Sequence, residues 1–128
     1  MKKVLKLSSL VIVLGALLSL TACAPKDAPS AREKLEAKEY TVAADGTLIP
    51  AALKLLGVDG IETVLTATKK TDNGVESVTA ILFDESSKAK EYMEEVKSYA
   101  EKNAERTDVK RAGKWLYYGT EQGMKDFA

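Results

Sequence analysis

Two runs rich in β-branched and apolar residues, Ile61 to Thr71 and Val75 to Phe83, flank Asp72-Asn73-Gly74. Asn-Gly is the favoured pair for a two-residue type I′ hairpin turn, because both central residues of that turn need positive φ. With Asn73 and Gly74 in the turn, Asp72 pairs with Val75, Leu65 with Leu82, Ala67 with Ala80 and Lys69 with Val78. Thr66, Thr68 and Lys70 then stand opposite Ile81, Thr79 and Ser77, so one face of the hairpin is apolar and the other Thr-rich. A slip of one residue would scatter the apolar side chains over both faces, which a half-buried sheet disfavours.

Periodicity extends this nucleus in both directions. After Asp84, residues Ala89, Tyr92, Met93, Val96, Tyr99 and Ala100 recur at spacings of three and four, predicting one long amphipathic helix from Glu85 to about Ala104. Its other face mixes Lys88, Lys90, Glu91, Glu94, Glu95, Lys97, Glu101 and Lys102 and reads as solvated surface. A second hairpin is expected from Val109 to Tyr118 about Ala112-Gly113, followed by a short helix capped by Thr120 that packs Met124 and Phe127. Upstream, Ser30 with Glu33 suggests a capping box for a helix to about Ala37. Tyr40 to Ala43 reads as a strand ended by Asp45-Gly46. Pro50 opens a helix with Ala52, Leu53 and Leu56 available for burial and Gly57 as its stop. Alternating strands, tight turns and covering helices predict an α+β fold. The expected form is a two-layer sandwich, with a mainly antiparallel sheet of two hairpins plus an extra strand, covered by the long helix and short flanking helices.

The N-terminus has a different character. Lys2, Lys3 and Lys6 precede an uncharged stretch from Leu7 to Pro25 with its apolar core at Leu10 to Leu20, the order of a secretory signal. An uncharged stretch of this length is also enough for a plain membrane-spanning anchor; the compact apolar core and the small residues Thr21 and Ala22 favour cleavage. Leu20-Thr21-Ala22-Cys23 resembles the lipobox of bacterial lipoproteins, a family in which the cysteine sulfur receives a diacylglyceryl group and the signal is cut immediately before that cysteine. The resemblance covers residues 1 to 23. It implies a cleaved signal over 1–22, lipidation at Cys23, and stable anchoring, since two acyl chains hold where one is marginal. It also implies export, to the outer face of the bacterial cell membrane or to the periplasmic face of a membrane in a Gram-negative source. Cys23 is the single cysteine, so no disulfide can form within the chain, and a thioether would remove its thiol from redox chemistry. Residues 23–29, with two prolines and no bulky apolar side chain, read as a tether for one small domain over 30–128.

Composition narrows the function. Cleavage removes three of the 19 basic residues, leaving 16 against 19 acidic and a net charge of −3, without a basic footprint for nucleic acid. The chain has no histidine, which excludes Ser-His-Asp and Cys-His catalysis and His-ligated zinc. Ser87-Lys88-Ala89-Lys90 fits S-x-x-K, in which a lysine one turn away takes the proton of a serine nucleophile, but the companion S-D-N and K-T-G elements are missing. Asp72-Asn73-Gly74 with Glu76 lacks the remaining ligands of a calcium loop, and the glycines form no phosphate-binding pattern. No metal or cofactor is expected. Near the C-terminus Trp115 and Tyr117 alternate with Leu116 and Tyr118, so one pair faces the core. If Trp115 and Tyr117 are the exposed pair, with Lys110 and Lys114 as a positive rim, they form a contact surface for a protein, glycan or small-molecule ligand. The expected function is a non-catalytic binding or interaction module held at a membrane by the lipid on Cys23. The alternative is a small hydrolase or transferase using Ser87 and Lys90.

Overall fold

The computed structural model describes residues 24–106 and 108–128. Residues 1–23, on which the expected signal and the lipidation at Cys23 fall, lie outside the described residues. In chain order the elements are α1 (Ala28–Ala37), β1 (Thr41–Ala44), α2 (Leu48–Leu55), β2 (Ile61–Thr71), β3 (Gly74–Phe83), α3 (Ser86–Glu91), α4 (Met93–Ala104), β4 (Lys110–Ala112), β5 (Trp115–Gly119) and α5 (Glu121–Phe127). The five strands make one open sheet in the order β1-β2-β3-β5-β4 with every pairing antiparallel. The α+β fold built on two hairpins and an extra strand is therefore the observed one, with β1 added at the free edge of β2.

The first hairpin forms where expected but closes two positions away in register. Thr71 pairs with Gly74, Leu65 with Ala80 and Ala67 with Val78, so Asp72 and Asn73 occupy the turn. Positive φ is taken by Gly74 (135°) and by neither Asp72 nor Asn73, which spares two non-glycine residues the left-handed region. Thr71 braces this arrangement: its hydroxyl accepts from the Asn73 N–H at 3.3 Å and donates to the Gly74 carbonyl at 3.3 Å. A shift of two preserves the alternation, so Leu65 and Ala67 still share a face with Val78, Ala80 and Leu82. The second hairpin turns at Gly113-Lys114, since Ala112 pairs with Trp115, one residue later than expected.

Helices divide between the two faces. On one, α1 and α5 bring Ala31, Leu35, Met124 and Phe127 onto Leu65, Ala67, Val78, Ala80, Leu82, Trp115 and Tyr117. On the other, α2, α3 and α4 bring Leu53, Ala89, Val96 and Ala100 onto Val64, Ile81, Phe83, Leu116 and Tyr118. The face read as Thr-rich is so only toward the hairpin turn; toward its base it is apolar and covered. The short helices α1 and α5 thus add a layer to the two that periodicity alone suggested. The long helix bends at Tyr92 (φ −96°, ψ 14°) into α3 and α4, and there the Tyr92 ring stacks on Phe83 with centroids 6.1 Å apart.

Three further expectations are corrected. The cap of α1 is Asp27 rather than Ser30: its carboxylate accepts from the Ser30 N–H at 2.9 Å, and the helix begins at Ala28 with Pro29 in its first turn. The segment read as a free tether is largely docked, because Ala24 and Ala28 pack against the core and the Pro25 carbonyl accepts the Trp115 indole N–H at 2.8 Å. Finally, Leu56 is 44% exposed instead of buried. The chain turns at Gly57 (φ 89°), the Val58 N–H donates to the Leu53 carbonyl at 3.0 Å, and Val58 takes the buried place. Where β5 meets α5, the backbone presses on Ser77 of β3. The Thr120 N–H donates to the Ser77 carbonyl, the Ser77 N–H donates to the Thr120 hydroxyl, and a Cβ on Gly119 or Gly123 would run into that same carbonyl.

Candidate functional site

Strand β5 was the sequence's first candidate for recognition, and its alternation is as expected, with Trp115 and Tyr117 on one face and Leu116 and Tyr118 on the other. Helices cover both faces, so all four are buried, Trp115 at 1% and Tyr117 at 5% exposure. Phe127 of α5 takes Trp115 edge-on at 5.1 Å and Tyr117 in a tilted contact at 4.8 Å. An open aromatic platform is therefore replaced by a packed one. Lys110 and Lys114 are exposed, but they part company: Lys110 lies opposite Tyr117 in the β4–β5 ladder and Lys114 in the turn beside Trp115.

Lys110 and Tyr117 do meet in a groove of about 480 Å³ beside α5, lined also by Arg106, Glu121, Met124 and Lys125. Its volume is within the range of small-ligand clefts. Glu105 and Asp108 add two carboxylates to the lining, so three cations meet three acids around Tyr117 and Met124. Such a lining can hold a ligand carrying both charges through ion pairs at the rim and apolar contact at the base. Lys125 and Glu121 already pair at 3.7 Å, and both are mostly exposed, so that pair yields readily to a ligand. A second hollow of about 370 Å³ lies under α2, lined by Pro50, Lys54, Val58, Asp59 and Ile61 among others.

Ser87 and Lys90 are both exposed at α3 and line neither of these hollows. Lys88 between them is engaged with Asp84 at 3.4 Å.

One buried acid escaped the sequence reading. Asp126 is 9% exposed and accepts from the Tyr40 hydroxyl at 2.7 Å and the Gln122 amide at 3.0 Å, with the Lys38 ammonium 3.6 Å away. Burial alone would raise its pKa; the hydrogen bonds from Tyr40 and Gln122, with Lys38 and Lys69 nearby, outweigh burial and hold it below the ordinary carboxylate value. Burial and the same carboxylate push the Tyr40 phenol well above its ordinary value. Lys69 lies 4.8 Å over the Tyr40 ring and donates to the Lys38 carbonyl. This cluster ties α1, β2 and α5 together. In sequence Asp126 looks like any acid of a short C-terminal helix, and only the distant Tyr40 distinguishes it.

Compared with known proteins, the chain matches no family model, no curated protein sequence and no solved structure. Among the described residues no helix is long and apolar enough to cross a membrane.

Proposed function

We propose that this chain is a bacterial lipoprotein, exported and then held by a diacylglyceryl group on Cys23, whose domain is a non-catalytic binding or interaction module. The observation that carries the reading is the sequence Leu20-Thr21-Ala22-Cys23 behind a basic and apolar leader, placed directly ahead of the domain. Its support from the fold is the groove at Lys110 and Tyr117, whose mixed charges and apolar base suit binding, while Ser87 stands in the open. The ligand is a small molecule, a glycan or an extended protein segment that presents both charge signs. Mass analysis of the N-terminal peptide from membranes tests the anchor. The expected result is an acylated cysteine as first residue, and a leader-bearing precursor for Cys23→Ser. A secreted, unacylated wild-type chain would overturn it.

A further inference from the structure

Strand β5 turns one row of its backbone groups away from β3. The Phe83 N–H donates to the Lys114 carbonyl and the Thr120 N–H to the Ser77 carbonyl, each at 2.9 Å, while Val78 stands opposite Gly119. Bonding and non-bonding positions alternate in an antiparallel ladder, so Trp115, Tyr117 and Gly119 direct their N–H and C=O groups to the side of β4. β4 meets only part of that row. Its ladder runs from Ala112 opposite Trp115 to Lys110 opposite Tyr117 and ends there. Asp108, which the same register would bring opposite Gly119, is outside β4 and lines the groove together with Gly119. Among the described residues neither the N–H nor the C=O of Gly119 has a hydrogen-bond partner.

The other edge of the sheet handles an outward carbonyl differently. Val42 of β1 faces away from β2, and its C=O accepts from the Arg32 guanidinium at 2.9 Å. At position 119 a Cβ would run into the Ser77 carbonyl, so no side chain there can close the edge. A donor and an acceptor set side by side in the plane of a sheet are matched by the C=O and N–H of one residue of an extended chain, and an open strand edge is a template for such a chain. Sugar hydroxyls offer no pair at that fixed spacing. The residue facing Gly119 would share its side of the sheet with Tyr117, so its side chain runs over Tyr117 and Met124. Residues two places to either side share that face and reach the mixed charges of the lining, Arg106, Lys110 and Lys125 against Glu105, Asp108 and Glu121.

We propose that the groove takes an extended peptide carrying both charge signs, which adds to the sheet beyond the end of β4 by exchanging two hydrogen bonds with Gly119. This rests on the binding-module reading above and narrows its ligand from three classes to one. The backbone pair fixes the register of the peptide against β5, and the groove beside α5 decides which side chains it accepts.

The test follows the backbone amides of the full, isotope-labelled protein in detergent micelles by NMR. The probes are acetyl-Lys-Ala-X-Ala-Glu-amide and acetyl-Glu-Ala-X-Ala-Lys-amide, with X glycine, alanine, valine, leucine or tyrosine. The same peptides N-methylated at X, chitotriose, and free lysine with glutamate serve as comparisons. At a concentration of about ten times its Kd, a peptide that pairs as proposed slows exchange of the Gly119 N–H about tenfold. Its N-methylated form has lost the donor to the Gly119 carbonyl and should bind about tenfold more weakly. Because the change is made in the ligand, the fold is untouched. Shifts at Lys110 and Lys125 without protection of Gly119, and equal binding of the N-methylated form, overturn the strand pairing and leave the groove as a binding site. Shifts from chitotriose or the free amino acids alone overturn the peptide and also leave the groove. Protection of Gly119 that grows with protein concentration in the absence of peptide overturns it in favour of a second copy. No response of the groove to any probe overturns the groove together with the peptide.

Discussion

Tyr40→Phe isolates a single hydrogen bond in the cluster around Asp126. The ring stays, so the contact with Lys69 and the packing of a residue only 3% exposed are kept, and only the hydroxyl that donates to the carboxylate at 2.7 Å is lost. A hydrogen bond to a charged group contributes about 1.5–3 kcal/mol. Asp126 keeps the Gln122 amide and Lys38 and touches solvent at one edge, so the lower part of that range applies, about 1.5–2 kcal/mol. For a domain of this size that lowers Tm by about 6–16 °C. Thermal unfolding of detergent-solubilised protein followed by circular dichroism measures it. In an Asp126→Asn background the same substitution removes only a neutral hydrogen bond and should cost about 0.5–1.5 kcal/mol. The pH dependence has a definite sign. A carboxyl held below its ordinary 3.8 in the fold stabilises above that value, so the margin of wild type over Asp126→Asn narrows as pH falls below about 4. A phenol held above its ordinary 10.0 stabilises below that value, so wild type loses stability above about pH 10 as the unfolded chain releases the proton first. An unchanged Tm for Tyr40→Phe, or an equal loss in both backgrounds, would refute the reasoning.

Gly123→Ala puts a methyl group against the Ser77 carbonyl and should destabilise by about 1–3 kcal/mol despite improving helix propensity; a higher Tm would show that α5 can lift from β3 without loss. Trp115→Phe leaves the Pro25 carbonyl without its donor, and native-state hydrogen exchange should then rise at the N–H groups of α1 while those of β2 and β3 keep their protection. Wild-type emission from Trp115 should be blue and protected from acrylamide; red, readily quenched emission would contradict its burial.

Features that repeat at short range were legible in the sequence. The alternation of Leu65, Ala67, Val78, Ala80 and Leu82 named the apolar face correctly even though the turn closed two positions away, because a shift of two conserves the side on which a residue stands. The hydroxyl of Thr71, which braces the actual turn, is invisible to a rule based on the Asn-Gly pair. The inward stripe from Ala89 to Ala100 was also readable, though not its bend at Tyr92, which coincides with a stack on a strand residue. At the site, alternation paired Trp115 with Tyr117 but could not say that a second set of helices would cover them. Lys110 was placed beside Tyr117 by the hairpin, whereas Arg106 and Lys125 reach the groove only through the fold. Pro25 and Trp115 are separated by 90 residues, and nothing local in either marks the other as a partner. Around α2 the reading failed the opposite way: Leu53 and Leu56 were both expected inside, yet only Leu53 is, and Val58 beyond the turn takes the second place.

The clamp between Pro25 and Trp115 also sets an order of events. Its acceptor is near the front of the chain and its donor lies 90 residues later, in the last strand to be made. Under the lipidation reading, a chain that crosses the membrane leader first presents Pro25 before Trp115 exists to hold it. Once β5 adds to the sheet, Pro25 is seized, and the bond between Ala22 and Cys23 lies within three residues of a folded wall. Under the lipidation reading, acyl transfer and leader removal therefore have a window that the arrival of the C-terminal strand closes. On that reading, a precursor that folds before it is processed has Pro25 already clamped, three residues after Ala22, and maturation would then run at the speed with which that clamp lets go.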